Sequence, residues 1–177
     1  MVHASFDWRL LIISSACFVV FIPTNITNVY LTKIAYFYNF DEHERDKYIG
    51  AGLQAVSMIG QVFATLVAGQ VTGYGVNRAR MVVFILLLSS LNTILLINST
   101  FQTLFIVRLF SGLAQGAVVP VAFAMAADLF QPADRPGASA VLSGAIGGGI
   151  LSGQLFGGYM DGVLNWNIQM GLMGALS

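Results

Sequence analysis

Charge is scarce in this chain: of its 177 residues, eight are Lys or Arg, eight are Asp or Glu, and the two signs cancel. This balance, without a long Lys/Arg cluster, gives no reason to expect a nucleic-acid partner. Cys17 is the single cysteine, so neither a disulfide framework nor a cysteine-ligated metal site is available. We expect no metal and no organic cofactor.

The few charges leave long uncharged runs between them. These runs cover residues 10–32, 48–77, 81–107, 109–127, 136–160 and 162–177. About 20 helical residues cross a bilayer core of about 30 Å, and a charge at mid-bilayer costs roughly 2.5 to 3.5 kcal/mol. With 56% hydrophobic residues, the sequence predicts an all-α, polytopic integral membrane protein whose first partner is the lipid bilayer.

The runs predict a single transmembrane domain over residues 1–177. Its helices are expected at about 8–30, 48–71, 80–97, 102–127 and 136–160, with an incomplete one at 166–177. The last run supplies roughly 18 Å of helix, so we expect a truncated chain. A natural half-length product and a truncated gene model both fit this expectation. The longest loop is predicted between residues 32 and 47.

The basic residues are distributed unevenly between the two sides of the predicted bundle. Arg9, Arg78, Arg80 and Arg135 fall on one side, and Lys33, Arg45 and Lys47 fall on the other. The positive-inside rule therefore favours a cytosolic N-terminus. The plasma membrane and an internal organelle membrane both remain open.

Polar residues inside the predicted spans are candidates for substrate binding. Arg108 lies about six residues, roughly 9 Å, into its helix, where an ionised group faces a partner or water. Snorkelling of its long side chain to the headgroups is the alternative. Ser111 and Gln115 follow at +3 and +7 and so share its helical face. In the first span, Asn25 and Asn28 follow Pro23 and are expected to point inward.

Small residues are concentrated in the span 136–160. Several overlapping glycine faces let another helix backbone approach closely, and Gly153 and Gly157 belong to one of them. We therefore predict a packing role for this helix. Pro120, inside the span 102–127, is expected to kink its helix, because it lacks an N–H and clashes with the preceding turn.

Motifs in two of the spans resemble the major facilitator superfamily. The residues concerned are Arg108, Gly112, Gly116 and Pro120 at spacings of four, then Asp128-Leu-Phe and Arg135-Pro-Gly-Ala. They are similar to that superfamily's fourth helix and the loop after it. A second motif, Gly149-x-x-x-Gly153-Gln154-x-x-Gly157-Gly158, is similar to a pattern associated with antiporters, whose proline is Gln154 here.

The match is weaker between the second and third spans. The superfamily usually has an aspartate there that helps latch the two halves of the transporter in the outward-facing state, and this chain has Gly73 in its place. The resemblance also implies that Asp128 lies near the basic loop that carries Arg78 and Arg80. We therefore assign Asp128, Arg78, Arg80, Gly153, Gly157 and Pro120 to gating or structural roles.

The resemblance implies the N-terminal half of a major facilitator fold, built as two inverted three-helix repeats with the sixth helix truncated. The expected function is secondary active transport, as a symporter or antiporter, of a small solute by alternating access. The organic-anion, sugar-phosphate and spinster-like branches look nearest, and the missing C-terminal half or a second subunit would be the partner. Substrate contacts are expected from Arg108, Gln115, Asn28, Asn25 and Ser111.

Two other functional classes are alternatives to a transporter. An intramembrane enzyme needs acids, nucleophiles or metal ligands inside the spans, and Cys17 alone cannot supply them, so we predict that the chain is not an enzyme. A non-transporting half-length membrane protein, acting through association of its helices with another subunit, is the alternative function.

Overall fold

The computed structural model describes residues 8–95 and 100–160, and within those ranges every regular element is helical. The α-helices are α1 (Trp8–Val29), α2 (Leu31–Phe37), α3 (Glu42–Glu44), α4 (Gln54–Val71), α5 (Arg78–Leu95), α6 (Phe101–Leu129) and α7 (Arg135–Met160). A π-helical segment, Arg45–Leu53, joins α3 to α4, and a 3-10 turn, Thr72–Tyr74, follows α4.

Within the described residues, four helical stretches are long and apolar enough to cross a membrane: Trp8–Val29, Glu42–Tyr74, Phe101–Leu129 and Arg135–Met160. Many of their large apolar side chains point outward, among them Leu66 and Leu155, each about two-thirds exposed. An apolar exterior of this kind needs lipid around it. The predicted fold class, an all-α polytopic membrane protein, is confirmed.

The second crossing begins earlier than the sequence suggested. Its helix starts at Glu42 instead of residue 48, and α2 occupies part of the stretch expected to be a loop. The reason is a capping box, in which the Asp41 carboxylate accepts from the Glu44 N–H at 2.7 Å and the Glu44 carboxylate accepts from the Asp41 N–H. The end of the predicted span 80–97 and all of 166–177 lie outside the described residues.

The helices pack as two close pairs. α1 runs along α7 and α4 runs along α6, while α6 also contacts α1 and α5. α1 and α6 are therefore the central helices, and each belongs to a different pair. The pairs are joined mainly by the contact between α1 and α6, so side chains at that contact hold the bundle together.

Glycines set the short distance within each pair. An ideal Cβ on Gly153 of α7 would lie 2.6 Å from the Ile22 carbonyl oxygen of α1. One on Gly60 of α4 would lie 2.6 Å from the Leu109 carbonyl oxygen of α6. Such contacts exclude any side chain at these positions, and this is the close backbone approach that small residues permit in membranes.

Two apolar clusters fill the interior, one toward each end of the bundle. The first joins Ile13 to Phe21 of α1 with Ala114 to Ala126 of α6, and the second joins Ile26 and Tyr30 with Leu104 and Val107. Between them along α6 lies the segment that begins with Arg108. A buried charged group thus lies between the two apolar clusters, at the junction of the two helix pairs.

Candidate functional site

Arg108 of α6 is the largest fully buried side chain of the described residues, with 1% of its surface exposed. Its guanidinium turns toward α1, where one Nη donates to the Asn28 Oδ1 at 2.8 Å and the other donates to the Thr24 carbonyl at 3.3 Å. The group therefore faces the α1–α6 junction instead of lipid. The Thr24 carbonyl comes directly after Pro23, in the polar stretch of α1 that also contains Asn25 and Asn28.

The charge of Arg108 has no counter-ion in the described part of the chain, since the ion pairs found there involve Arg45 and Arg78. Its Nε is buried and makes no hydrogen bond. An ion moved out of water loses several kcal/mol of solvation even after relaxation, and two neutral acceptors offset only part of that. The site is consequently an electropositive position that an anionic oxygen would complete.

Gln115 lies two turns further along α6, roughly 10 Å from Arg108 along the helix axis. It is 5% exposed, and its Nε2 has no hydrogen-bond partner. Two buried donors, one on each residue, thus remain unsatisfied on this side of α6. Buried donors are satisfied in most proteins, and these two are available to a ligand or water.

The other two predicted substrate residues lie apart from this pair of donors. Ser111 turns toward α5, where its hydroxyl accepts from the Asn92 Nδ2 at 2.6 Å. Asn25 turns toward α7, close to Gly153, and its amide donates back to the Phe21 carbonyl of its own helix. The structure therefore brings together Arg108 and Asn28, places Gln115 on the same helix, and directs Ser111 and Asn25 to other neighbours.

Asn92 is a buried polar residue that the sequence reasoning missed. It is 4% exposed in α5 and links that helix to α6 through Ser111. The signal for it was present, because an asparagine inside the apolar run 81–107 needs a partner when no water is near. The identity of the partner depends on how α5 and α6 are rotated, which the run alone does not determine.

Pro120 lies inside α6, which continues through it from Phe101 to Leu129. Proline has no N–H, so the carbonyl four residues earlier, that of Gly116, loses its helical donor. The Thr65 hydroxyl of α4 lies 3.0 Å from that oxygen and is also 2.8 Å from the Gln61 carbonyl. The single hydroxyl proton of Thr65 is therefore shared between its own helix and the carbonyl that proline leaves without a donor, and a neighbouring helix can satisfy such a carbonyl in a membrane.

At the end of the bundle where α1 begins, the structure brings Arg78 and Asp128 together. The Arg78 guanidinium forms an ion pair with the Asp128 carboxylate and also donates to the Thr72 carbonyl at 3.0 Å. The turn between α4 and α5 is thereby tied to the end of α6. Arg80 is exposed and does not take part in this ion pair.

The comparison with protein families agrees with these features. A family model described as Major Facilitator Superfamily matches residues 13–177. None of the curated proteins matches the chain.

Proposed function

Because this chain belongs to the major facilitator superfamily, an integral membrane transporter family, we propose that it moves a small solute across the membrane by alternating access. In this proposal, the chain is the N-terminal six-helix half of a symporter or antiporter. A C-terminal half or a second subunit supplies the other wall of the path. The organic-anion, sugar-phosphate and spinster-like branches are the ones that a cationic site fits.

The substrate in this proposal carries an anionic group that binds Arg108. The observation that supports it is the buried guanidinium with two neutral acceptors, an unsatisfied Nε and no carboxylate nearby in the described residues. Asn28 positions the guanidinium through a hydrogen bond of 2.8 Å. Gln115 supplies a further donor, and Ser111 and Asn25 contribute when the helices move during the transport cycle.

The binding role of Arg108 is tested by substitution in the transporting assembly. Arg108→Gln removes the charge and is expected to lower uptake of an organic-anion panel by tenfold or more in proteoliposomes. Arg108→Lys keeps the charge but loses the planar group that binds carboxylate or phosphate at two points, so an intermediate rate is expected. Arg135→Gln, a charge removal at an exposed arginine, is the matched control and should transport normally.

Membrane yield and thermal stability of each variant separate binding from folding. If Arg108→Gln keeps its yield and transports within twofold of wild type, Arg108 has no part in substrate binding. If both Arg108 variants lose yield to the same extent, the residue only joins α1 to α6.

We also propose that the N-terminus and the Arg78/Arg80 turn are cytosolic, as the distribution of basic residues favours. Asp41 and Asn77 are exposed and flank one crossing, Glu42–Tyr74. Single cysteines at these two positions should therefore differ: an impermeant maleimide added outside intact cells should label Asp41→Cys and spare Asn77→Cys. Labelling of Asn77→Cys alone would indicate the opposite topology, with the Arg78/Arg80 turn outside. The native Cys17 is fully buried and should not react.

A further inference from the structure

An apolar groove of about 510 Å³ lies between α4, α5 and α6, toward the end of the bundle where α5 begins. Its walls and floor include Val67, Phe84, Leu88, Leu113 and Ala117. Asn77 and Arg80 are the polar residues that line it. The groove is separate from Arg108 and from the ion pair between Arg78 and Asp128.

The groove opens sideways, to the outside of the described helices. Phe63 and Phe84, which line it, are each more than 60% exposed. From Arg80 to Leu88 the groove extends eight residues along α5, about 12 Å from its polar end into the apolar part of the bundle. Its shape and depth suit a hydrocarbon chain that lies along the helices with its polar end at the membrane surface.

The charge at the polar end favours an anionic headgroup. Arg78, two residues earlier, is already paired with Asp128. Arg80 has no ion-pair partner in the described residues, and its backbone N–H is bonded to the Asn77 Oδ1 at 3.2 Å. That bond leaves the Asn77 amide nitrogen available as a second donor beside the Arg80 guanidinium.

We propose that this groove binds an anionic phospholipid, with one acyl chain between α4 and α5 and the phosphate at Arg80 and Asn77. The apolar lining excludes water from the chain, and Arg80 neutralises the headgroup. A basic residue at a membrane surface contributes about 1 kcal/mol to binding of an anionic lipid, which corresponds to about fivefold in affinity. The site involves no residue assigned to the substrate, and lipid binding to it can be measured without transport.

Native mass spectrometry of the purified full chain tests this site without a transport measurement. Phosphatidylglycerol and phosphatidylcholine with identical acyl chains are titrated in detergent, and the dissociation constant of the first bound lipid is measured for each. Phosphatidylglycerol should bind about fivefold more tightly than phosphatidylcholine. Arg80→Gln should abolish that preference. Inorganic phosphate at the same concentration should not displace the lipid, because it lacks the chain.

Two variants separate the groove from general surface electrostatics. Ala117→Phe places a ring in the floor of the groove, so it should weaken both lipids while the charge is kept. Arg135→Gln removes an exposed charge elsewhere and should leave the preference intact. Equal binding of the two lipids by wild type, or equal effects of Arg80→Gln and Arg135→Gln, would overturn the proposal. Lipid binding by Ala117→Phe is measured only on protein that elutes in size-exclusion chromatography as wild type does. If Ala117→Phe misfolds, the comparison of Arg80→Gln with Arg135→Gln tests the proposal.

Discussion

The contact between α1 and α7 gives the sharpest quantitative prediction, through the substitution Gly153→Ala. The added Cβ would lie 2.6 Å from the Ile22 carbonyl oxygen and 2.9 Å from the Asn25 Cβ. An ordinary contact begins at 3.4 Å, so the two helices must separate by about 0.8 Å at this point. The Ile22 oxygen belongs to the α1 backbone, so no flexible side chain can absorb the change.

The separation also weakens a hydrogen bond one turn away. The Tyr30 hydroxyl donates to the Gly157 carbonyl at 2.7 Å, and the same displacement would stretch this bond to a length at which it contributes little. Overpacking costs about 1 to 3 kcal/mol and the lost hydrogen bond about 0.5 to 1.5 kcal/mol. Replacing a helical glycine by alanine returns about 0.5 to 1 kcal/mol. We expect a net loss of about 2 kcal/mol.

Reversible unfolding in mixed micelles, followed by circular dichroism, measures this loss. Gly158→Ala is the matched control, because it makes the same change five residues further along the same helix and its Cβ would have no neighbour within 4 Å. It should be neutral or slightly stabilising. Equal free energies of unfolding for the two variants would refute the close approach of α1 and α7.

Two further predictions concern polar contacts between helices. Thr65→Val should cost about 1 kcal/mol, because it removes the hydroxyl that lies 3.0 Å from the Gly116 carbonyl. In a Pro120→Ala background, where α6 supplies its own N–H, the cost should fall by half or more in the same unfolding measurement. An unchanged cost in that background would contradict the role assigned to Thr65. The Asn92–Ser111 pair should show a coupling of about 0.6 to 2 kcal/mol in an alanine double-mutant cycle, and additive effects would exclude it.

Much of the membrane architecture could be read from where the charges fall. Charged residues cannot lie in lipid at low cost, so their gaps mark the crossings almost regardless of tertiary contacts. The start at Glu42 was missed because a capping box extends a helix beyond the apolar run, into a charged segment that is solvated. The length of an apolar run predicts the part of a helix that lies inside the bilayer. Local hydrogen bonds, such as those of the capping box, determine where the helix begins outside it.

The rotation of each helix about its axis was much harder to predict. α7 carries glycines on several faces, yet Gly153 meets α1 while Gly144 and Gly158 have no neighbour within 4 Å. Likewise Ser111 shares a face with Arg108 by spacing, but its hydroxyl bonds to α5. Which face meets which helix depends on the summed packing of all helices, and this is not encoded in the spacing along any one of them.

The bond between Tyr30 and Gly157 joins residues 127 positions apart, and this separation has a consequence for biosynthesis. At about 5 to 20 residues per second, a ribosome needs roughly 6 to 25 s to make the chain between them. During that interval α1 exists without the helix against which it packs, and its Tyr30 hydroxyl has no Gly157 carbonyl to which it can donate. The α1–α7 pair can therefore form only after α7 has been made, whereas α4 and α6, which lie between them in the sequence, can pair earlier.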